Sequence, residues 1–171
     1  MKKMYVEWAD VYFALTKLAR LMEQDNWKPE VIVGLNRGGM PLAVLLSHYI
    51  SVPVIPLDIS LRDGKGRESN VGLAEDAFHG KSILIVDDIN DTGATINWIK
   101  NDWQTNCCPD AIERWNIVWN KNWGNVKIFT MFDNLASKSD LKVDYTWCEI
   151  NKAEEDVWVD FPYESWWERR T

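Results

Sequence analysis

The chain has 171 residues, of which 46% are hydrophobic and 26% charged, and its formal net charge is −7. That length suits about one domain, and that composition can build a real core. The acidic balance, with a pI near 4.9, excludes a broadly basic nucleic-acid face or an anionic-membrane binder, but not a small anion held locally by backbone amides.

The N-terminal stretch MKKMYVEWADVYF meets Glu7 and Asp10 too soon for a secretory leader. No apolar run approaches the ~20 residues of a membrane span. A soluble, cytoplasmic protein is expected, with no nucleic-acid or membrane partner. The odd set Cys107, Cys108 and Cys148 makes neither a disulfide framework nor a zinc site, so free thiols are expected.

From Glu7 to Gln24, Trp8, Val11, Tyr12, Leu15, Leu18, Ala19 and Met22 recur at steps of three and four, which predicts an amphipathic helix. Val31-Ile32-Val33 is a short strand ending at Gly34. Met40 to Ile50 reads as a helix, with Pro41 in the first turn where proline is tolerated. Val52 to Leu57 is a β-branched strand, and LRDGKGRESN, Leu61 to Asn70, is a polar loop. Ser82 to Val86 is uniformly apolar, as expected of a strand covered on both faces.

Ala94 to Trp103 is a helix with Ile96, Ile99 and Trp103 on one side. Asp110 to Trp119 suits a helix through Ile112, Trp115 and Trp119, although Ile117-Val118 also suits a strand. Val126 to Phe132 and Val143 to Cys148 are strands. Strands alternating with helices imply right-handed crossovers and a mostly parallel, twisted α/β sheet of about five strands flanked by helices. A single domain over residues 1–171 is expected.

The chemistry concentrates in ILIVDDINDTGATI, Ile83 to Ile96. Two adjacent carboxylates, Asp87 and Asp88, end an apolar strand, and Asp91-Thr92-Gly93-Ala94-Thr95 then opens a helix. In an open parallel sheet ligands sit beyond the carboxyl ends of the strands. Small residues at a helix start let several N–H groups point at one anion, with the helix dipole adding to them. The carboxylates can accept from vicinal hydroxyls or stand near a hydrated cation. Helix capping explains one acid and one threonine, but not a pair of acids one turn earlier. A phosphorylated sugar offers both hydroxyls and a monophosphate.

This stretch closely resembles the phosphoribosyl-pyrophosphate motif of the type I phosphoribosyltransferases, and the hood segment described below resembles their bacterial and archaeal xanthine, guanine and hypoxanthine branch. The resemblance spans roughly residues 31–164 and implies that family's fold, with a small C-terminal hood contributed mainly by residues 133–171. It implies ribose contacts from Asp87 and Asp88, and a 5′-phosphate loop of Asp91, Thr92, Gly93, Ala94 and Thr95. Asp91 would also act as general base toward a purine nitrogen. The turn Asn36-Arg37-Gly38-Gly39 resembles the family's pyrophosphate loop, with Arg37 neutralising the leaving group and the Asn36–Arg37 peptide cis. Glycines allow close backbone approach there, and Arg37 offers a planar fork to phosphate oxygens.

The polar loop from Ser60 corresponds to the family's catalytic loop, where Arg62, Lys65 and Arg67 could meet pyrophosphate; Leu61 stands where purine relatives often carry tyrosine. VWVDFPYE, Val157 to Glu164, resembles the purine-type hood. It implies that Trp158 stacks on the base, that Val159 offers backbone groups to the base edge, and that Glu164 lies near the pyrophosphate magnesium. Mg²⁺ is the implied cofactor, held mostly through water near Asp87, Asp88 and Glu164.

One departure stands out. Purine relatives place a lysine after the late strand to contact the base oxygen, and here that position falls on Asp133 or Asn134. Asn134 could still hydrogen-bond the base, and Lys138 is the nearest cation along the chain. The resemblance therefore implies transfer of a phosphoribosyl group to a purine (hypoxanthine, guanine or xanthine) in purine salvage, by a homodimer or homotetramer. Transfer to another base, or a non-catalytic nucleotide-sensing role on the same scaffold, stays open. The tryptophan-rich residues 101–125 match nothing in the family pattern.

Overall fold

A computed structural model of the chain describes residues 1–59 and 70–169. The expectations for Ser60, Leu61, Arg62, Lys65 and Arg67 lie outside the described residues. In chain order the elements are β1 (Lys2–Tyr5), α1 (Trp8–Gln24), β2 (Val31–Asn36), α2 (Gly39–Ile50), β3 (Val54–Asp58) and α3 (Val71–Phe78). There follow β4 (Ile83–Asn90), α4 (Ala94–Asn106), α5 (Ile112–Val118), β5 (Val126–Asn134), β6 (Tyr145–Ile150) and β7 (Val157–Asp160).

Five strands form one sheet in the order β3-β2-β4-β5-β6, and every adjacent pair is parallel. This is the expected α/β architecture. Alternate strand residues serve opposite faces, which is why the strands read as unbroken apolar runs. Ile32, Leu84 and Val86 face a core completed by Leu15 and Leu18 of α1 and Leu42 and Leu46 of α2. Val31, Val33, Ile83 and Ile85 face a second core completed by Leu73, Ile99, Trp103 and Trp115 of α3, α4 and α5.

The tryptophan-rich stretch belongs to that second core. Trp119 stacks on Trp103 at 5.6 Å and on Trp115 at 6.2 Å between ring centroids. The buried Trp115 Nε1 donates to the Cys107 carbonyl at 2.9 Å, so its polar handle is satisfied inside the apolar layer. Cys107, Cys108 and Cys148 are free thiols.

Three features depart from the sequence reading. β4 runs past Val86 to Asn90, carrying both aspartates within the strand. α3 follows the polar loop, with the Asn70 side chain accepting from the Leu73 N–H at 2.9 Å as its cap. β1 and β7 form a separate parallel pair in the register Lys2↔Val157 to Tyr5↔Asp160, so the first residues of the chain join the hood strand. Arg169 fastens this pair, donating to the Val6 carbonyl at 2.8 Å and to Asp160 Oδ1 at 2.8 Å.

Candidate active site

The sheet order places a topological switch between β2 and β4. The chain leaves β2 toward the β3 edge and leaves β4 toward the β5 side, so a crevice opens between their carboxyl ends. β2 pairs with β4 only as far as Gly34↔Val86, whereas β4 stays paired to β5 as far as Asn90↔Asp133. Asp87 and Asp88 therefore sit where β4 has lost its β2 neighbour. A cleft of about 920 Å³ occupies this place, within the size range of small-molecule sites.

Asn36, Arg37 and Gly38 line one side of the cleft, and the Asn36–Arg37 peptide is cis. Gly39 lies behind them, buried; a Cβ there would run into the Val86 carbonyl and the Asp87 backbone, so glycine is what lets α2 start this close to β4. Asp87 and Asp88 line the floor, each half-buried. Their carboxylates organise the strand end locally: Asp87 Oδ1 accepts the Asp88 N–H at 2.9 Å, and Asp88 Oδ1 accepts the Ile89 N–H at 2.8 Å.

Asp91, Thr92, Gly93, Ala94 and Thr95 line the next wall. Gly93 caps α4 with a φ of +86°, a left-handed conformation that lets the chain turn sharply into the helix. The first-turn N–H groups of α4 have no acceptors within the helix, the kind of start at which an anion can be held, and the Ala94 N–H is met by Thr92 Oγ1 at 3.3 Å. The loop after β5 braces it from outside. Lys138 N–H donates to the Thr92 carbonyl at 2.9 Å, and the Asn97 side chain donates to the Lys138 carbonyl at 2.9 Å. Lys138 thus serves the loop through its backbone.

The hood closes the far side with Trp158, Val159, Phe161 and Glu164. Trp158 is 39% exposed, enough for its face to be reached from the cleft. Glu164 Oε2 accepts the Phe161 N–H at 3.3 Å. Tyr163 donates to the Gly38 carbonyl at 3.0 Å. Burial first, then the nearby Asp88, Glu164 and Asp87 carboxylates, push the Tyr163 phenol far up, so it remains a donor.

Asn134 is placed differently from its expected base contact. It is 6% exposed and does not line the cleft. Its oxygen accepts the Ala136 N–H at 3.1 Å and the Lys152 N–H at 3.0 Å, while its nitrogen donates to the Asp91 carbonyl at 2.8 Å. Both ends of the amide hold backbone. Among the described residues the lysine that lines the cleft is Lys152, which the sequence reading passed over; its Nζ lies 3.0 Å from Asp91 Oδ2. In the sequence it is one lysine in the polar turn NKAEED, with no signal beyond its place just after a strand.

Against known proteins, the family described as "Phosphoribosyl transferase domain" matches residues 2–163. The chain belongs to that family. Its relatives include a xanthine-guanine phosphoribosyltransferase of Idiomarina loihiensis, 25% identical over 58% of this chain and 63% of the relative. An orotate phosphoribosyltransferase of Oceanobacillus iheyensis is 31% identical over 44% of this chain and 36% of its own length. The chain thus spans less than two thirds of the curated relatives it matches here.

Two solved phosphoribosyltransferases share the fold over almost the entire chain. The purine phosphoribosyltransferase of Pyrococcus horikoshii has a TM-score of 0.67 at 24% identity, covering 96% of each chain. The xanthine-guanine-hypoxanthine phosphoribosyltransferase of Helicobacter pylori has a TM-score of 0.66 at 19% identity, covering 97% of this chain and 95% of its own.

Proposed function

We propose that this phosphoribosyltransferase-family chain transfers a phosphoribosyl group from phosphoribosyl pyrophosphate to a ring nitrogen of a 6-oxopurine (hypoxanthine, guanine or xanthine), in purine salvage. The observation that carries this reading is the convergence of four parts on one cleft: the Arg37 turn, the Asp87-Asp88 pair, the Gly93 helix start and the Trp158 hood. The first three suit the donor's pyrophosphate, ribose and 5′-phosphate, and the fourth suits a flat heteroaromatic ring. The relatives' names agree on the donor but differ on the base, so the base is argued from this chain's own residues.

In the reaction the bond from the anomeric carbon to pyrophosphate breaks, a bond from that carbon to a ring nitrogen forms, and the proton the purine's imidazole ring must lose passes to Asp91. Catalysis is mostly positioning and neutralisation of the leaving group, with Arg37 and backbone amides as donors. Arg62 belongs to the same proposal for pyrophosphate, and Val159 to that for the base edge. Asn134 acts as a positioning residue. The donor set fits Mg²⁺: Asp87, Asp88 and Glu164 supply hard oxygens, and among the described residues no cluster of three or more metal-type side chains forms a cage. A metal shared with substrate oxygens and water, as Mg²⁺ prefers, would when bound neutralise charge on pyrophosphate. Assembly as a homodimer or homotetramer is part of the proposal. Among the described residues no helix is long and apolar enough to cross a membrane.

The test is a panel of purified protein, Mg²⁺, phosphoribosyl pyrophosphate and each free base, read by chromatography for nucleotide. Hypoxanthine, guanine or xanthine should give product. Product from orotate or uracil alone would replace the purine reading, and no product from any base would overturn the transferase reading.

A further inference from the structure

We infer that a cavity at the amino ends of β4, β5 and β6 is a second binding site, which takes an α-amino acid with an aromatic side chain. The cavity holds about 450 Å³, enough for a small metabolite, and shares no lining residue with the cleft. The three strands are parallel, so it lies at the opposite end of the sheet from Asp87 and Asp91.

Lys127 is the residue out of place there. β5 reads VKIFTMFDN and is buried from Val126 through Phe132. Val126 and Ile128 face the second core, and Phe129 and Met131 face the first. By strand alternation Lys127 takes the first core's face, at only 5% exposure. Its Nζ donates to the Lys121 carbonyl at 3.2 Å and stands 5.6 Å from the centre of the Trp27 ring. An ammonium has three N–H donors, and the carbonyl takes one of them. Among the described residues Lys127 forms no ion pair. A lysine this buried ordinarily has an anionic partner.

Three more charged groups line the same cavity: Lys121, Asp25 and Asp144. Asp144 Oδ2 accepts the Ile128 N–H at 2.7 Å, and Asp25 Oδ2 accepts the Tyr145 hydroxyl at 2.7 Å, so both carboxylates are held in place. The four groups form one electrostatic cluster. Burial lifts the Asp144 carboxyl to about 6, the Ile128 bond, Lys127 and Lys121 pull it down, and Asp25 pushes it up. Above that value the cavity offers two ammonium groups and two carboxylates. A simple anion would meet Asp25 and Asp144, and a simple cation would meet Lys121 and Lys127. A molecule with a carboxylate and an ammonium on one carbon answers both signs and gives Lys127 the counter-charge it lacks.

The rest of the lining selects within that class. Trp27 is half-buried, and Trp123 lines the cavity while 72% exposed, so its ring forms part of the rim. The turn that carries Trp123 is fixed by Asn120 Oδ1, which accepts the Asn122 N–H at 2.9 Å and the Trp123 N–H at 3.3 Å. Two indoles suit a flat apolar side chain.

The test titrates the isotope-labelled full chain at about pH 8, where Asp144 is ionised. The probes are L-phenylalanine, L-tyrosine and L-tryptophan, with phenylpropionate and phenethylamine as the carboxylate-only and ammonium-only counterparts of phenylalanine. At least one amino acid should move the Trp123 indole N–H resonance saturably and leave that of Trp158, in the cleft, still. The single-charge probes should bind about 10-fold more weakly or worse. Lys127→Met, which keeps the stem and removes the donors, should weaken calorimetric binding by a similar factor, and Trp123→Ala should weaken it several-fold.

No saturable shift with any of the three amino acids would overturn the inference. So would equal binding of either single-charge probe, or movement at Trp158 in place of Trp123. Unchanged affinity in either variant would do the same; Trp123 lies on the surface, so its arm holds even where Lys127→Met unfolds the protein. No arm depends on turnover, and the result stands apart from the base panel.

Discussion

The Tyr163 hydroxyl donates to the Gly38 carbonyl at 3.0 Å, joining the hood to the turn that follows β2. The bond couples the part of the cleft assigned to the base with the part assigned to pyrophosphate. A cover that moved independently of Arg37 would leave the two substrates unaligned.

Tyr163→Phe removes that one bond and leaves the ring stacked on Phe161, 5.5 Å away. We expect a loss of about 0.5–1.5 kcal/mol, seen as a several-fold rise in KM for both substrates. Steady-state kinetics with each substrate varied in turn would show it. A change confined to kcat would mean that the bond does not position substrates.

Asp91→Asn should retain the fold and donor binding but lower turnover by about 10²- to 10⁴-fold, the usual worth of a positioned base. Single-turnover kinetics with the donor pre-bound isolates the chemical step. Unchanged turnover would remove Asp91 from proton transfer and mark it as a structural partner of Lys152 and Asn134.

Gly93→Ala tests the helix-start cradle. A Cβ at this left-handed position would lie 2.7 Å from the Lys138 carbonyl carbon and 2.7 Å from Ser139 Cα, both backbone. Relief requires the braced loop to move, with a conformational cost of about 1–3 kcal/mol beside the clash. A raised KM for phosphoribosyl pyrophosphate and a lowered melting temperature are expected together; normal values for both would show that the loop yields freely.

Trp115→Ala tests the reading of the tryptophan stretch as core. Trp115 is fully buried, so truncation should cost about 3–5 kcal/mol in urea unfolding. The ratio of kcat/KM for hypoxanthine to that for adenine should not move in the folded fraction. A small stability change with an altered ratio would place these rings in the function after all.

Asp144 should give stability a pH dependence of unusual sign. Its carboxylate accepts the Ile128 N–H at 2.7 Å, yet burial lifts it from 3.8 to about 6, with that bond and Lys127 and Lys121 pulling down and Asp25 pushing up. Between these values the folded state binds more protons than the unfolded chain. The group's stabilising contribution is therefore full below the lower value and lost as pH rises through the upper one. Asp144→Asn should gain on wild type from roughly pH 4 to pH 7, by up to about 3 kcal/mol. A difference that stays flat across that range would sink the assignment.

Much of the cleft lining proposed for the donor was legible in the sequence because its signals are local. An apolar run, two acids and a glycine-bearing helix start lie within one continuous stretch, and the β2 turn repeats the strand-to-glycine pattern. The elements that escaped lacked such signals. β1 is four residues long and mostly exposed, and its partner lies at the far end of the chain. α3 sits beside a polar loop, although Asn70 and the spacing of Leu73, Ala74 and Ala77 do carry a helix signature.

The base side was harder for a different reason. Asn134 and Lys152 are distant from Asp91 in sequence and acquire meaning only through β5 lying next to β4 and β6 next to β5. The residues 101–125 posed the opposite problem. Their apolar spacing showed helices, but the stacking of Trp103, Trp115 and Trp119 depends on how α4 and α5 meet.

The pairing of β1 with β7 sets an order of events during synthesis. β1 leaves the ribosome long before its mate and cannot form this pair until β7 emerges. Pulse-labelled hydrogen exchange should find the Val6 amide, bonded to Asp160 at 2.9 Å, gaining protection after the Ile83 amide, bonded to Asn125 at 2.9 Å. A nascent chain would then shape the cleft wall at the end of β4 first and gain the Trp158 side of the cleft later.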